Sequence, residues 1–224
     1  MVLSKTTLRI FEKKIMNIIE QLQWRYATKK FDDSHILSDK QLTTLKEAFN
    51  LTALSYGLQT LKLVIITDKE HREKLVSHSY GQRQVVDASH LLVLCIQSEI
   101  DETDVNEHFK NIVQVRKTSE SVLEPFKNQL KATIDDMPKT KKFDWAIRQA
   151  YIALGNLMTV CAIEKIDSCP MEGFNPEAID EVLQLNLKGL KSVLLLPVGK
   201  RAKDDIFADL KKVRKPLNET IIEL

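Results

Sequence analysis

The hydrophobic positions of this chain alternate between two periods. Leu8, Phe11, Ile15, Ile18, Ile19 and Leu22 recur at helical spacing with charge between them, which predicts a helix over residues 5–23. Ser38-Asp39-Lys40-Gln41 reads as a capping box that opens a second helix ending near Asn50. The continuous apolar runs Leu61–Ile66 and Leu91–Ile96 predict buried strands, as does Lys191–Val198, ended by Pro197 and Gly199. Lys69–Ser77 predicts a helix, and residues 101–135 are charged and helix-prone, with Pro125 and Pro138 as breaks. Trp145–Glu164 is a helix apolar almost all round, where Ala150, Ala153, Gly155 and Ala162 would let other backbones approach closely. Such a helix lies centrally or in a subunit interface. Pro176–Leu185 predicts another helix, capped by Asn175, with Pro176 in its first turn. From Asp209 the tail is basic, then polar. The order is not a clean βαβα alternation, so the pattern predicts an α+β sandwich rather than a doubly wound sheet.

Composition narrows the picture. The 224 residues, 43% hydrophobic and 29% charged, suffice for a sizeable core in one domain or two small ones. A net charge of +2 gives no global field for nucleic acid, so an anionic partner must be met by a local cluster. Three cysteines, Cys95, Cys161 and Cys169, without a CxxC, read as buried free thiols in a reducing compartment. The longest apolar stretch, Ala150–Ile163, is shorter than the ~20 residues a bilayer requires. Glu12, Lys13, Lys14 and Glu20 interrupt the first segment, so no signal peptide and no membrane are expected, and a cytoplasmic protein is. The six glycines stand too far apart for GxGxxG or a P-loop. Neither HExxH nor GxSxG occurs, which disfavours zinc and serine hydrolases, and no metal site is expected.

Five clusters carry candidate chemistry. Arg25-Tyr26-Ala27-Thr28-Lys29-Lys30 can wrap an anion, with a forked arginine contact and lysine point charges. In Lys211-Lys212-Val213-Arg214-Lys215-Pro216, the proline favours an extended chain, so Lys212 and Arg214 share a face as a phosphate clamp. Cys169-Pro170-Met171-Glu172-Gly173-Phe174 is a turn that offers backbone N–H donors. Ser55-Tyr56-Gly57-Leu58-Gln59 can line a pocket or merely turn the chain. Gly81-Gln82-Arg83-Gln84 precedes Asp87 and His90, which read better as a structural aspartate and a core histidine than as an acid–base pair.

In their order along the chain, the clusters resemble the nitroreductase family of FMN-dependent NAD(P)H oxidoreductases, in the branch of oxygen-insensitive nitroreductases and dihydropteridine reductases. The resemblance covers about Trp24 to Leu217. It implies a three-layer α+β sandwich with a central, mostly antiparallel sheet, residues 1–224 forming one domain. It implies a homodimer with one FMN at each of two interfaces, the 209–224 tail wrapping the partner. It also implies ping-pong hydride transfer from NADH or NADPH through FMN to a small-molecule acceptor: a quinone, a nitroaromatic or a pteridine-like compound. On this resemblance Arg25, Lys212 and Arg214 hold the phosphate, with Val213 between them. Tyr26, Ala27, Thr28 and Lys29 follow the ribityl chain and pyrimidine edge. Pro170 and Met171 lead to Glu172 and Gly173, whose N–H groups face the flavin. Ser55 and Gln59 reach the partner's FMN, and Gly81 and Gln84 lie beside the ring. Lys29 and Glu172 are the catalytic candidates. Segment 119–133 flanks the acceptor.

Three departures from the family pattern stand out. Gly81 takes the place of a usual asparagine, and Gln82 or Gln84 is left to compensate. Thr60-Leu61 replaces a proline and an aromatic, and Leu54 replaces a small polar residue. Alternatives are another flavin reaction on the same fold, such as enoate reduction or dehalogenation, and a non-enzymatic basic module for nucleic acid. The near-neutral charge balance argues against the last.

Overall fold

The computed structural model describes residues 17–224. Of the predicted 5–23 helix, the structure gives α1 (Ile18–Trp24), which starts at an Asn17 cap whose side chain accepts from Ile19 N–H; residues 5–16 lie outside the described residues. Both arms of the Ser38/Gln41 capping box close at the start of α2 (Asp39–Asn50). Then follow β1 (Leu61–Ile66), α3 (Lys69–Glu73), α4 (Gln84–Asp87) and β2 (His90–Gln97). The predicted 69–77 helix ends early, and a 3-10 turn takes up Ser77–Ser79.

The charged stretch forms a helical hairpin of α5 (Glu102–Arg116) and α6 (Glu120–Asp135). Pro125 lies inside α6 and does not break it, contrary to the sequence expectation. As the sixth residue of α6 it deprives the Ser121 carbonyl of its intrahelical donor, a loss offset by the burial of Leu130 and Ile134 in the hairpin. Pro138 caps α7 (Lys139–Ile163), so this helix begins six residues before Trp145. By length and composition α7 could cross a membrane. In the fold it buries Ala146, Ala150, Ala153, Leu157 and Cys161 against the sheet. The last elements are β3 (Asp167–Ser168), α8 (Pro176–Val182), β4 (Leu190–Gly199) and α9 (Leu217–Thr220). The two-residue β3 has no hydrophobic run to announce it.

The strands form one sheet in the order β1-β2-β4-β3, antiparallel throughout. Alternation along β2 makes two cores. Leu92, Leu94 and Ile96 join Leu194, Leu196 and Val198 against α7, α2 and the hairpin. Leu91, Val93 and Cys95 join Leu195 against Leu75, Val85, Ile179 and Leu185. These are the three layers of the predicted α+β sandwich. A bulge lies between the pairs Leu94↔Leu194 and Cys95↔Ser192, so facing parity changes along β4. Pro197 fits within β4 because its carbonyl, which accepts from Cys169 N at 3.1 Å, faces the short β3 side where a missing donor costs little.

The sheet is tightly closed at Gly199. A Cβ there would stand 2.9 Å from the Ser89 backbone nitrogen and 3.2 Å from the Phe31 ring. Gly199→Ala is therefore expected to destabilise the fold by about 1–3 kcal/mol, the usual range for overpacking. A urea midpoint equal to that of the parent would refute this. All three cysteines are free and buried, as expected. Burial pushes the Cys95 and Cys161 thiols up to about 12.

Candidate functional site

The chain leaves α1 and runs along the edge of the sheet. Thr28 N–H donates to Ser168 O at 3.2 Å, and Asp32 N–H to Lys200 O at 2.8 Å. The intervening loop is wound around one carboxylate. Asp205 Oδ2 accepts from Tyr26 OH at 2.8 Å, Lys29 N–H at 2.9 Å and Lys30 N–H at 3.1 Å, while Oδ1 accepts from Phe207 N–H at 3.1 Å. Burial raises the Asp205 pKa, but these donors together hold it below the usual carboxylate range. Tyr26 is pushed up by burial and by its bond to Asp205. Behind the loop, the Arg201 guanidinium lies 4.4 Å from the centre of the Trp24 ring and 4.5 Å from that of Tyr26. Its Nε donates to the buried Asp167 at 2.7 Å.

The two cationic stretches meet. Arg25, Tyr26, Ala27 and Lys29 line a pocket of about 410 Å³ together with Lys211, Lys212, Val213 and Arg214. Lys212 Nζ donates to Arg25 O, 187 positions away. Among the described residues, no carboxylate forms an ion pair with Arg25, Lys29, Lys211, Lys212 or Arg214. Partial burial and the nearby Arg25, Arg214 and Arg201 charges hold the Lys212 ammonium below its ordinary range. The pocket is thus a cluster of mutually repelling cations, which an anion would relieve. Thr28 does not line it. Its side chain is fully buried, with Oγ1 unpartnered.

A second group assembles around the 169–174 turn. Met171 is a core side chain whose N–H and C=O both pair with Leu195, at 2.8 and 3.0 Å, so it anchors the turn. Pro170 lies between it and Cys169, whose N–H bonds to β4. Phe174 N–H closes back on Glu172 O at 3.0 Å. Neither the Glu172 nor the Gly173 N–H has an acceptor among the described residues. Lys29 joins the groups: burial raises the Cys169 thiol, and the Lys29 charge opposes it. The Glu172 carboxylate accepts from Tyr151 OH of α7 at 2.7 Å. Gln82 Nε2 donates to Gly173 O at 2.8 Å, reached through Tyr80 and Gly81, both with positive φ. Gln84 starts α4 behind this loop.

Ser55 and Gln59 stand apart from the cationic pocket. Ser55 N–H donates to Gln149 Oε1 at 2.9 Å, and Gln59 Nε2 to Asn50 O at 2.9 Å. One chain alone does not bring them to the other predicted residues. Asp87 pairs with Arg83 at 3.1 Å, and His90 is buried on Ser89 Oγ at 2.8 Å, the structural roles expected. Asp205, Arg201 and Asp167 are the residues that sequence reasoning missed. The trace of Arg201 and Asp205 is a basic run followed by two carboxylates, Lys200-Arg201-Ala202-Lys203-Asp204-Asp205, which resembles any solvated loop, and Asp167 leaves none.

A three-layer antiparallel sandwich with a cationic pocket at one sheet edge and free backbone donors in the neighbouring turn defines the class as a nitroreductase-type α+β protein. The chain belongs to the Nitroreductase family, whose model matches residues 22–200. It is 37% identical over 173 residues to a protein of Staphylococcus epidermidis provisionally named an NAD(P)H nitroreductase, covering 74% of this chain and 77% of that one. Among solved structures, the nitroreductase YdfN of Bacillus subtilis, also provisionally named, superposes with a TM-score of 0.82 at 22% identity, over 92% of this chain and 98% of that one. Another such structure, from Exiguobacterium sibiricum and crystallised with FMN, gives 0.80 at 18% identity, over 95% and 99%.

Proposed function

We propose that the chain is an FMN-dependent NAD(P)H oxidoreductase acting on small acceptors of the quinone, nitroaromatic or pteridine-like kind. One observation carries the reading: cations 187 positions apart line one pocket with no carboxylate ion-paired to them among the described residues, beside a turn with two N–H groups that have no acceptor there. These residues fit a phosphorylated ring cofactor. Arg25, Lys212 and Arg214 would hold its phosphate, and the repulsion at Lys212 is relieved by it. Glu172 and Gly173 would supply backbone donors to the ring, and Lys29 a positive charge at its electron-rich edge. Bound there, FMN would supply hydride transfer between NADH or NADPH and the acceptor. The names of the curated relatives and the FMN in the Exiguobacterium structure support this reading.

The working form is a cytoplasmic homodimer of one nitroreductase-like domain per chain. Arg148, Ile152, Gly155 and Thr159 recur at helical spacing on α7 beside exposed Tyr151, and a Cβ on Gly155 would meet nothing within 4 Å. That face suits a second copy. Leu217, Ile221 and Ile222 of the tail are exposed and suit the partner's surface. The expected result is a yellow protein whose flavin is bleached anaerobically by NADH or NADPH and recovers its colour with an acceptor of these classes. A colourless chain that takes up no added FMN would overturn the proposal.

A further inference from the structure

We infer that Gln82 is a positioning residue that sets the aim of the Glu172–Gly173 donor pair. The inference rests on the proposed function for its consequence, though not for its geometry. Gln82 Nε2 bridges two carbonyls, Gly173 O at 2.8 Å and Ser79 O at 3.1 Å. A Cβ on residue 173 would lie 3.1 Å from that nitrogen and 3.9 Å from the Tyr80 ring, so the approach is as close as a glycine permits. The loop presenting Gln82 is itself fixed. Tyr80 and Gly81 reverse the chain in left-handed conformations, and Gln82 N–H closes on Ser79 O at 3.0 Å. The next segment, α4, is held from beneath by the buried Arg72, whose Nη1 donates to Val86 O at 2.8 Å. A second tie joins the same loops, from Asn175 N–H to His78 O at 2.8 Å.

The peptide on the far side of Gly173 is therefore clamped by a side chain. The peptide before it is closed only by the tight Phe174-to-Glu172 bond. Glycine has no side chain to fix its own rotation, so with this clamp gone the Gly173 peptide can turn between its anchored neighbours Met171 and the buried Phe174. The Gln82 amide is spent on the two backbone carbonyls of the facing turns. Its role is to keep two N–H groups pointed at the ring before the ring arrives, since preorganised donors do most of the work.

Gln82→Met keeps length and bulk but cannot donate. In the cofactor-free protein, exchange of the Phe174 amide is expected to accelerate about tenfold, with no change in β2 or β4; losing one hydrogen bond is worth about that factor. In the FMN-loaded protein, retention should change less than about threefold, since Arg25, Lys212 and Arg214 are untouched. The flavin reduction rate should fall about tenfold while KM for NADH changes little, the signature of lost orientation rather than lost binding. Gln82→Glu, which sets a carboxylate against two carbonyls, should do more in the same direction. It also serves as the second test if the methionine variant fails to fold. Unchanged Phe174 exchange overturns the clamp. Faster exchange with an unchanged reduction rate overturns the positioning role. Faster exchange in a chain whose parent binds no FMN overturns the proposed function and leaves the clamp standing.

Discussion

Asp205→Ala is expected to weaken FMN binding at least 100-fold and to lower Tm by about 10 °C. Three backbone N–H groups and a phenol converge on this one carboxylate. Removing it leaves the donors of Lys29 and Lys30 turned inward with no acceptor. Each buried donor left without an acceptor costs about 1–3 kcal/mol, and each kcal/mol lowers Tm by roughly 2–4 °C in a chain of this size. Cofactor binding suffers with stability because the loop carrying Arg25 and Lys29 takes its shape from these bonds. Asp205→Asn should be milder, keeping an acceptor oxygen and losing the charge.

The same carboxylate sets an acid limit. Its folded pKa lies below the ordinary value, so its contribution is fully present above the unfolded pKa of about 4 and is lost as pH falls through the folded value. FMN release and unfolding on acidification should therefore shift to higher pH in Asp205→Asn. Acid titration followed by flavin fluorescence reads this directly. An unchanged acid profile and normal retention in both variants would remove Asp205 from its place at the centre of the loop.

Arg214→Ala should raise the FMN Kd by about 10- to 100-fold while leaving the cofactor-free protein as stable as the parent, or slightly more so. A charge-assisted hydrogen bond to phosphate is worth about 1.5–3 kcal/mol. Arg214 is exposed and has no carboxylate partner among the described residues, so the fold loses nothing when it goes. Its charge also disfavours the protonated Lys212 beside it, and that repulsion ends with the substitution. Opposite signs for binding and stability mark a residue kept for a ligand. The pair Lys212→Ala and Arg214→Ala together should abolish retention through purification. Equal affinities in parent and variants, by fluorescence titration at fixed salt, would refute the clamp.

Much of the fold was legible because burial writes itself into local pattern. Continuous apolar runs gave β1, β2 and β4, and the capping box at Ser38 gave the start of α2 to the residue. Boundaries were lost where local rules compete with tertiary ones. Pro125 reads as a break, yet the hairpin packing of Leu130 and Ile134 carries α6 through it. The first turns of α7 are too polar to read as part of an apolar helix. β3 is two residues long and exists only because β4 offers it an edge.

Residue types suited to an anion and a planar ring were readable from the chain: two basic clusters, a proline-glycine turn and a loop with glutamines. Charge, donor number and backbone freedom belong to each residue alone. Folding is what put Arg25 and Arg214 at one pocket, wound the 26–30 loop on Asp205 and set Gln82 on Gly173. Those relations depend on distances between segments far apart in the chain. Such distances are fixed by how the layers close over the sheet and leave no mark in the neighbouring sequence.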